Sequence, residues 1–261
     1  MPRFAANLSM LFTELPFPDR FAAAAKAGFH YVEYLFPYDY PAEELRGLLD
    51  ENGLTQVLFN LPCGDWAAGE RGIAGLPGRE REFREGVDKA VEYAKVLGVA
   101  RLNCLAGKLP EGASMETACD VLALNTANAA RILGESGLTL VIEAINHFDI
   151  PGFMLTRTNH VMALLDVIGR PNVAMQYDVY HAQREEGELA ATIAANMPRI
   201  GHIQVADNPG RHQPGTGEIH YPFLFAELDR LGYDGFVGLE YVPTPDTLAS
   251  LDWIPQMGLI L

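Results

Sequence analysis

One short pattern recurs along this chain and constrains its fold more than any other feature. An amphipathic helical stretch ends at a glycine, and a short apolar run rich in β-branched residues follows it. Glycine suits this position because the residue past a helix C-terminus often adopts a positive φ. Five segments show the whole pattern and three show a similar apolar run, which predicts eight strands, within residues 5–12, 26–36, 51–61, 96–105, 135–145, 171–181, 199–207 and 230–241.

Eight strands separated by helices predict a closed barrel. Spread over 261 residues, they give about 33 residues per strand, the size of one βα repeat. Strict alternation of strands and helices implies a parallel sheet, and eight such units are enough to close it. We therefore predict an α/β protein with a single (β/α)8 barrel domain over residues 1–261. An open doubly wound sheet is the alternative, but the first βα turn has no GxGxxG sequence.

Charge and composition restrict the partners. The formal net charge is −15, and such a surface repels phosphate backbones and anionic lipid. We therefore expect neither nucleic acid nor a membrane as the main partner. An acidic small molecule stays compatible, because an arginine or a metal can reverse the field inside a pocket. Three separated cysteines without a CxxC pair, and no signal-like or membrane-spanning apolar run, predict a soluble cytoplasmic protein.

Polar residues stand near the ends of the last four predicted strands. They are Glu143, Asp178, Gln204 and Glu240, one for each strand. Because chemistry in a (β/α)8 barrel takes place at the C-terminal ends of the strands, we expect these side chains to converge. Three bare carboxylates would repel one another there, and a divalent cation resolves the conflict. Carboxylate and amide oxygens suit a hard ion, so the pattern predicts a site for Mg²⁺ or Mn²⁺.

The same segments resemble a known family. The motifs VIEAIN, QYDVYHAQ, GHIQVAD and GLEY are similar to those of the xylose isomerase-like barrel superfamily, and more closely to those of the hydroxypyruvate isomerase family. The segment 59–80, after the third strand, is the most family-specific part, and the resemblance spans essentially the whole chain. Members interconvert hydroxypyruvate and tartronate semialdehyde or act on related 2-oxo sugar acids. Sugar epimerases of the superfamily commonly have a histidine where Gln204 stands. His202 lies two residues earlier and should face the same way in a strand, so it is a competing ligand.

The resemblance also implies a mechanism. Glu143 and Glu240 would be the acid/base pair that moves a proton between adjacent carbons of the substrate. A divalent ion holding both substrate oxygens would stabilise the developing enediolate as a Lewis acid. Asp178 and Gln204 would be ligands without a proton-transfer role, and which glutamate acts first stays open.

Five further residues are candidates for contact with the substrate. His181 follows the sixth strand and is expected to hydrogen-bond a substrate oxygen, with helix capping as the alternative. Arg211 lies in the glycine-containing loop after the seventh strand and is expected to bind the substrate carboxylate in a bidentate manner. Asn60 and Trp66 are expected to cover the substrate, although Trp66 would equally fit packing at the rim. Glu33 falls mid-strand, where a buried carboxylate needs a partner, and could support the site from behind.

Rival functions stay open at this point. An isomerase of a longer 2-oxo sugar acid such as 2-oxotetronate, or a ketose 3-epimerase, would use the same metal and glutamates with different loops. An abasic-site endonuclease shares the superfamily but would need histidine-rich zinc clusters and a basic groove, which this acidic chain lacks. A non-catalytic barrel would predict the loss of a carboxylate, and all three are present. Association into a homo-oligomer is compatible with the sequence, which locates no interface.

Overall fold

The eight predicted strands form one closed parallel barrel. A computed structural model describes residues 2–261, and each strand pairs with its neighbour in sequence order while the first pairs with the last. The strands are β1 (Arg3–Asn7), β2 (Tyr31–Glu33), β3 (Thr55–Asn60), β4 (Arg101–Cys104), β5 (Thr139–Glu143), β6 (Val173–Asp178), β7 (Ile200–Val205) and β8 (Phe236–Leu239). The prediction of a (β/α)8 barrel is therefore confirmed.

Helices connect the strands and surround the barrel. Within residues 2–261 they are α1 (Asp19–Lys26), α2 (Ala42–Glu51), α3 (Glu80–Leu97), α4 (Met115–Glu135), α5 (Thr158–Ile168), α6 (Val179–Glu185), α7 (Leu189–Asn196), α8 (Tyr221–Arg230), α9 (Thr247–Ser250) and α10 (Trp253–Gln256). No helix in that range combines the length and the apolar character needed to cross a membrane.

Helix α5 shows how the sequence pattern produces the outer layer. Its apolar residues Val161, Leu164, Leu165 and Ile168 recur at helical spacing and are all buried. The helix ends at Gly169, whose φ of 60° lies in the left-handed region that favours glycine. The next apolar run then becomes β6, as the recurring pattern predicts.

The first strand is shorter than the predicted segment 5–12. It ends at Asn7 because the backbone turns there: the amides of Met10 and Leu11 both donate to the carbonyl of Asn7, at 3.0 and 2.8 Å. Leu8, Leu11 and Phe12 stay buried but belong to the first βα loop.

The barrel interior has two chemically different layers. One is a small apolar cluster of Ala5, Val57, Leu58 and Val141. The other consists of buried polar side chains in the last residues of the strands, namely Asn7, Glu33, Asn60, Asn103, Glu143, Gln176, Asp178, His202 and Gln204. A buried polar layer must satisfy its own hydrogen bonds, and it therefore builds an ordered network beneath the barrel mouth.

Candidate functional site

The three predicted carboxylates lie together at the mouth of the barrel. Glu143 is the last residue of β5, Asp178 is the last residue of β6, and Glu240 follows β8 directly. All three are buried, and Glu143 and Glu240 line the same cleft. Ligand atoms of Glu143, Asp178 and His181 lie within 4.8 Å of one another, which is close enough for one metal ion. The sequence did not predict His181 as a member of such a group.

Asp178 has one occupied and one free carboxylate oxygen. Its Oδ1 caps helix α6 by accepting hydrogen bonds from the backbone amides of Tyr180 and His181, at 2.7 and 3.2 Å. Its Oδ2 is buried and has no hydrogen-bond partner within residues 2–261. Buried carboxylate oxygens are almost always paired, so this unpaired atom fits a metal ligand.

Burial raises the pKa values of both glutamates. The pKa of Glu143 lies well above its ordinary value because the group is buried and because Glu240 and Asp178 add negative charge. Burial likewise raises the pKa of Glu240 to about 8, although the Arg211 guanidinium opposes this shift. Without a cation the cluster therefore retains protons at neutral pH.

One ring nitrogen of His181 contacts Asn146, and the other faces the carboxylates. Its Nδ1 lies 2.6 Å from Nδ2 of Asn146, and its Nε2 lies 3.7 Å from Oδ2 of Asp178 and 4.0 Å from Oε1 of Glu143. The Asn146 amide is oriented by the backbone amide of Asp149, which donates to Oδ1 of Asn146. Burial lowers the pKa of His181 to about 4, so the ring is neutral at pH 7.

Arg211 points into the site but is already paired. Its Nη2 donates to Oε2 of Glu240 at 2.7 Å and lies 3.6 Å from Oδ2 of Asp178. Its guanidinium lies 5.2 Å from the ring centre of Tyr180. The backbone of Arg211 has a φ of 57°, in the left-handed region that residues other than glycine rarely adopt. The predicted contact with a substrate carboxylate would compete with these two carboxylates.

Gln204 belongs to a hydrogen-bonded network beneath the mouth. Its Oε1 accepts from Gln176 at 2.6 Å, and its Nε2 donates to Oε1 of Glu33 at 2.8 Å. If Gln204 is a metal ligand, its amide oxygen must give up the hydrogen bond from Gln176 and bind the metal instead. Gln176 also donates to Glu143 at 3.0 Å, which connects the network to the carboxylate cluster.

Glu33 is in the barrel interior and does not line the cleft. Its carboxylate accepts from Gln204 and Asn7 and pairs with Nε2 of His202, at 2.8, 3.0 and 2.6 Å. Because its oxygens are already occupied, Glu33 is placed to hold neighbouring side chains beneath the cleft and not to contact a substrate directly. The same pairing turns Nε2 of His202, the competing metal ligand, toward Glu33.

The remaining predicted contacts lie on one wall of the cleft, which has a volume of about 680 Å³. Asn60 lines it and accepts a hydrogen bond from Asn103 at 3.2 Å. Trp66 also lines it, is 41% exposed, and packs against Phe36 with ring centres 5.4 Å apart. Six of the predicted site residues line the cleft: Asn60, Trp66, Glu143, His181, Arg211 and Glu240. Asp178 lies next to Glu143 and His181, and Glu33 and Gln204 belong to the hydrogen-bonded network beneath the cleft.

Sequence reasoning missed the amides that hold the glutamates. Asn103 and Gln176 both donate to Oε2 of Glu143, at 3.2 and 3.0 Å, and Asn7 reaches Oε1 of Glu240 at 3.4 Å. A usable signal existed, since Gln176 precedes Asp178 by two residues and therefore faces the same way in its strand. The buried cysteines have no such role: burial raises the pKa of Cys63 to about 11 and that of Cys104 to about 12, which keeps both thiols protonated.

Comparisons with known proteins agree with this architecture. A family described as xylose isomerase-like TIM barrel matches residues 21–257. A hydroxypyruvate isomerase from Escherichia coli is 53% identical over 97% of this chain and 98% of its own length. A 2-oxo-tetronate isomerase from Cupriavidus necator is 49% identical over 99% of this chain and its own full length. A solved structure described as an AP endonuclease, family 2, from Brucella melitensis is 44% identical, with a TM-score of 0.95 and coverage of 98% of this chain and 99% of that one.

Proposed function

Because this chain belongs to the hydroxypyruvate isomerase family of xylose isomerase-like TIM barrels, we propose that it interconverts hydroxypyruvate and tartronate semialdehyde. Its relatives over nearly the whole length are isomerases, and the chain is an isomerase of the same kind. The observation that best supports the specific reaction is the pair of buried glutamates, Glu143 and Glu240, which line one cleft and have raised pKa values.

The two glutamates suit a proton transfer between neighbouring carbons. One carboxylate removes a proton from C3 of hydroxypyruvate, the carbon that has the hydroxyl group. The other glutamate, in its protonated form, delivers a proton to C2, and the hydroxyl proton moves to the oxygen on C2. Raised pKa values allow one member to be protonated and the other ionised near neutral pH. Asn103 and Gln176 hold one carboxylate oxygen of Glu143, which fixes its direction.

A divalent ion fits the proposed site. Glu143, Asp178, Gln204 and Glu240 would hold it. In support, Oδ2 of Asp178 is unpaired, ligand atoms of Glu143 and Asp178 lie within 4.8 Å of each other, and Glu240 lines the same cleft as Glu143. An all-oxygen set of this kind suits Mg²⁺ or Mn²⁺. When bound, the ion supplies Lewis-acid stabilisation of the negative charge that develops on the substrate oxygens.

His181 is better suited to the substrate than to the metal. Because Asn146 donates to Nδ1, the proton of the neutral ring belongs on Nε2, the nitrogen nearest the carboxylates. A protonated Nε2 donates a hydrogen bond and cannot coordinate an ion. We therefore assign His181 to a substrate oxygen within the proposed site, as the sequence predicted.

A turnover assay with controlled metal content tests the proposal. We expect the chelated protein to convert hydroxypyruvate very slowly and to recover when Mg²⁺ or Mn²⁺ is returned, with tartronate semialdehyde as the product. Absence of conversion in the metal-restored protein would refute this substrate. Metal-independent conversion would refute the role of the ion.

A four-carbon 2-oxo acid is the second candidate substrate. The relative from Cupriavidus necator is named for 2-oxo-tetronate and is nearly as similar as the hydroxypyruvate isomerase. The ratio of kcat/KM for 2-oxotetronate to that for hydroxypyruvate decides between them. Cleavage of abasic-site DNA should be measured separately, because the similar structure from Brucella melitensis is described as an AP endonuclease. We expect none, because the net charge of −15 opposes binding of DNA.

We also expect the metal-free protein to lose stability between pH 7 and 8. Both glutamates have an ordinary pKa of 4.5, and folding raises the pKa of Glu240 to about 8 and the pKa of Glu143 well above its ordinary value. The stabilisation from these retained protons is complete below about pH 4.5 and is lost as the pH rises through the folded pKa values. For each proton that the folded state retains and the unfolded state has lost, the free energy of unfolding falls by about 1.4 kcal/mol for every unit that the pH rises.

Thermal melts at pH 7 and pH 8, with and without Mn²⁺, measure this effect. His181 adds little in this window, because its lowered pKa of about 4 and its ordinary pKa of 6.5 both lie below it. Added Mn²⁺ should raise the melting temperature more at pH 8, where its carboxylate ligands are more fully ionised. Melting temperatures of the metal-free protein that do not fall from pH 7 to pH 8 would contradict the raised pKa values.

A further inference from the structure

Among the described residues, 2–261, two arginines line the cleft, and their surroundings differ. Arg211 is paired with Glu240 and lies near Asp178. Arg71, on the opposite loop after β3, lines the same cleft but has no acidic side chain within 4.0 Å in the part of the chain that the structure describes. Its sequence neighbour Glu70 pairs with Arg79 instead. A positive charge next to a proposed site for an anionic substrate is thus left without a counter-charge.

The Arg71 side chain is held in place by neutral groups. Its Nη1 donates to the backbone carbonyls of Trp66 and Glu70, at 3.0 and 2.7 Å. Its guanidinium lies over the Trp66 ring, 3.8 Å from the ring centre. These contacts fix the plane of the guanidinium and leave Nε and Nη2 without a hydrogen bond to residues 2–261. Fixed, unpaired donors of this kind suit a planar carboxylate.

The backbone beside Arg71 is equally fixed. Gly72, with a φ of 111°, approaches the loop after β4 so closely that a Cβ would lie 2.2 Å from the carbonyl oxygen of Leu105. The amide of Gly72 donates to Cys63 at 3.0 Å, and that of Gly75 donates to Ala106 at 3.0 Å. The loop is therefore anchored to the barrel directly after Arg71, so that the cation is placed before any ligand arrives.

We propose that Arg71 binds the carboxylate of the substrate, and that Arg211 remains the partner of Glu240. This assignment rests on the proposed function, because it takes the substrate to be a 2-oxo acid. It gives the two arginines separate tasks: Arg211 balances the charge of the acid/base carboxylates, and Arg71 selects acids over neutral ketoses.

The test compares charged and neutral ligands in the metal-supplemented protein. Arg71→Gln should raise KM for hydroxypyruvate about 10- to 100-fold, the loss expected for a hydrogen bond to a charged group, with kcat changed far less. Arg71→Lys keeps the charge without the planar fork and should lie between Gln and wild type. Arg81→Gln removes the same charge from an arginine on α3 whose side chain is 91% exposed, and it should match wild type. An unchanged KM in Arg71→Gln would overturn the proposal.

Calorimetric titrations separate this proposal from the proposed function. Pyruvate and its neutral amide, pyruvamide, differ only at the carboxylate and need no turnover. We expect wild type to bind pyruvate more tightly, and Arg71→Gln to lose that preference while its affinity for pyruvamide persists. Equal weakening of both ligands would show that Arg71 only shapes the loop, and equal wild-type affinities would show that no carboxylate is recognised. If wild type fails to convert hydroxypyruvate but retains the preference for pyruvate, the substrate assignment fails and the role of Arg71 stands.

Discussion

Glu240→Gln is expected to lower kcat for hydroxypyruvate by about 10³-fold, within the range for loss of a general acid or base. The substitution preserves the size of the side chain and an oxygen that can accept from Arg211, which now donates to Oε2 at 2.7 Å. It removes the ability to take up or release a proton. Metal affinity should fall much less than kcat, since Asp178, Glu143 and Gln204 are retained. A kcat near that of wild type would refute the acid/base role of Glu240.

The same variant identifies the order of the two glutamates. In heavy water, loss of the C3 proton appears as deuterium at C3 of recovered hydroxypyruvate, independently of product formation. Exchange that persists in Glu240→Gln would assign removal of this proton to Glu143, and loss of exchange would assign it to Glu240. Glu135→Gln, in an exposed side chain on α4, is the matched control and should behave as wild type in both measurements.

The sequence predicted the elements and the carboxylates for one physical reason. A buried strand tolerates few polar residues, so Glu143 and Asp178 stand out at the ends of β5 and β6 without knowledge of any distance. The helices follow equally directly from 3.6-residue spacing ended by glycine, as α5 shows. Helical periodicity and strand burial both depend on residues within one βα repeat. The sequence of a single repeat is therefore enough to predict its strand, its helix and the polar residue at the strand end.

Contacts between repeats were less predictable. The pairing of Arg211 with Glu240 joins the loops after β7 and β8, and the sequence did not predict it. The position of Arg71 depends on the path of a long loop, which is set by the close approach of Gly72 to the backbone of Leu105. Such contacts depend on the register of neighbouring strands and on loop geometry, and neither follows from the local pattern of residues.

The buried hub at Glu33 yields the second prediction, which concerns stability. Glu33→Ala should lower the free energy of unfolding by about 3–5 kcal/mol, because each buried polar group left without its hydrogen-bond partner costs about 1–3 kcal/mol. Three buried groups, on His202, Gln204 and Asn7, would lose their acceptor. Denaturant unfolding of the metal-free protein measures the change. Glu135→Ala, at an exposed position, should change stability by no more than about 0.5 kcal/mol.

Gly238 provides an independent check on this hub, because its missing side chain makes room for Glu33. A Cβ at Gly238 would lie 2.3 Å from Oε1 of Glu33, so Gly238→Ala must displace the carboxylate and should cost about 1–3 kcal/mol. In the Glu33→Ala background that clash disappears, and the added methyl group enters vacated space. The double variant should therefore be more stable than the sum of the two single changes predicts, by at least about 0.5 kcal/mol. Strict additivity would mean that the two residues do not share this space.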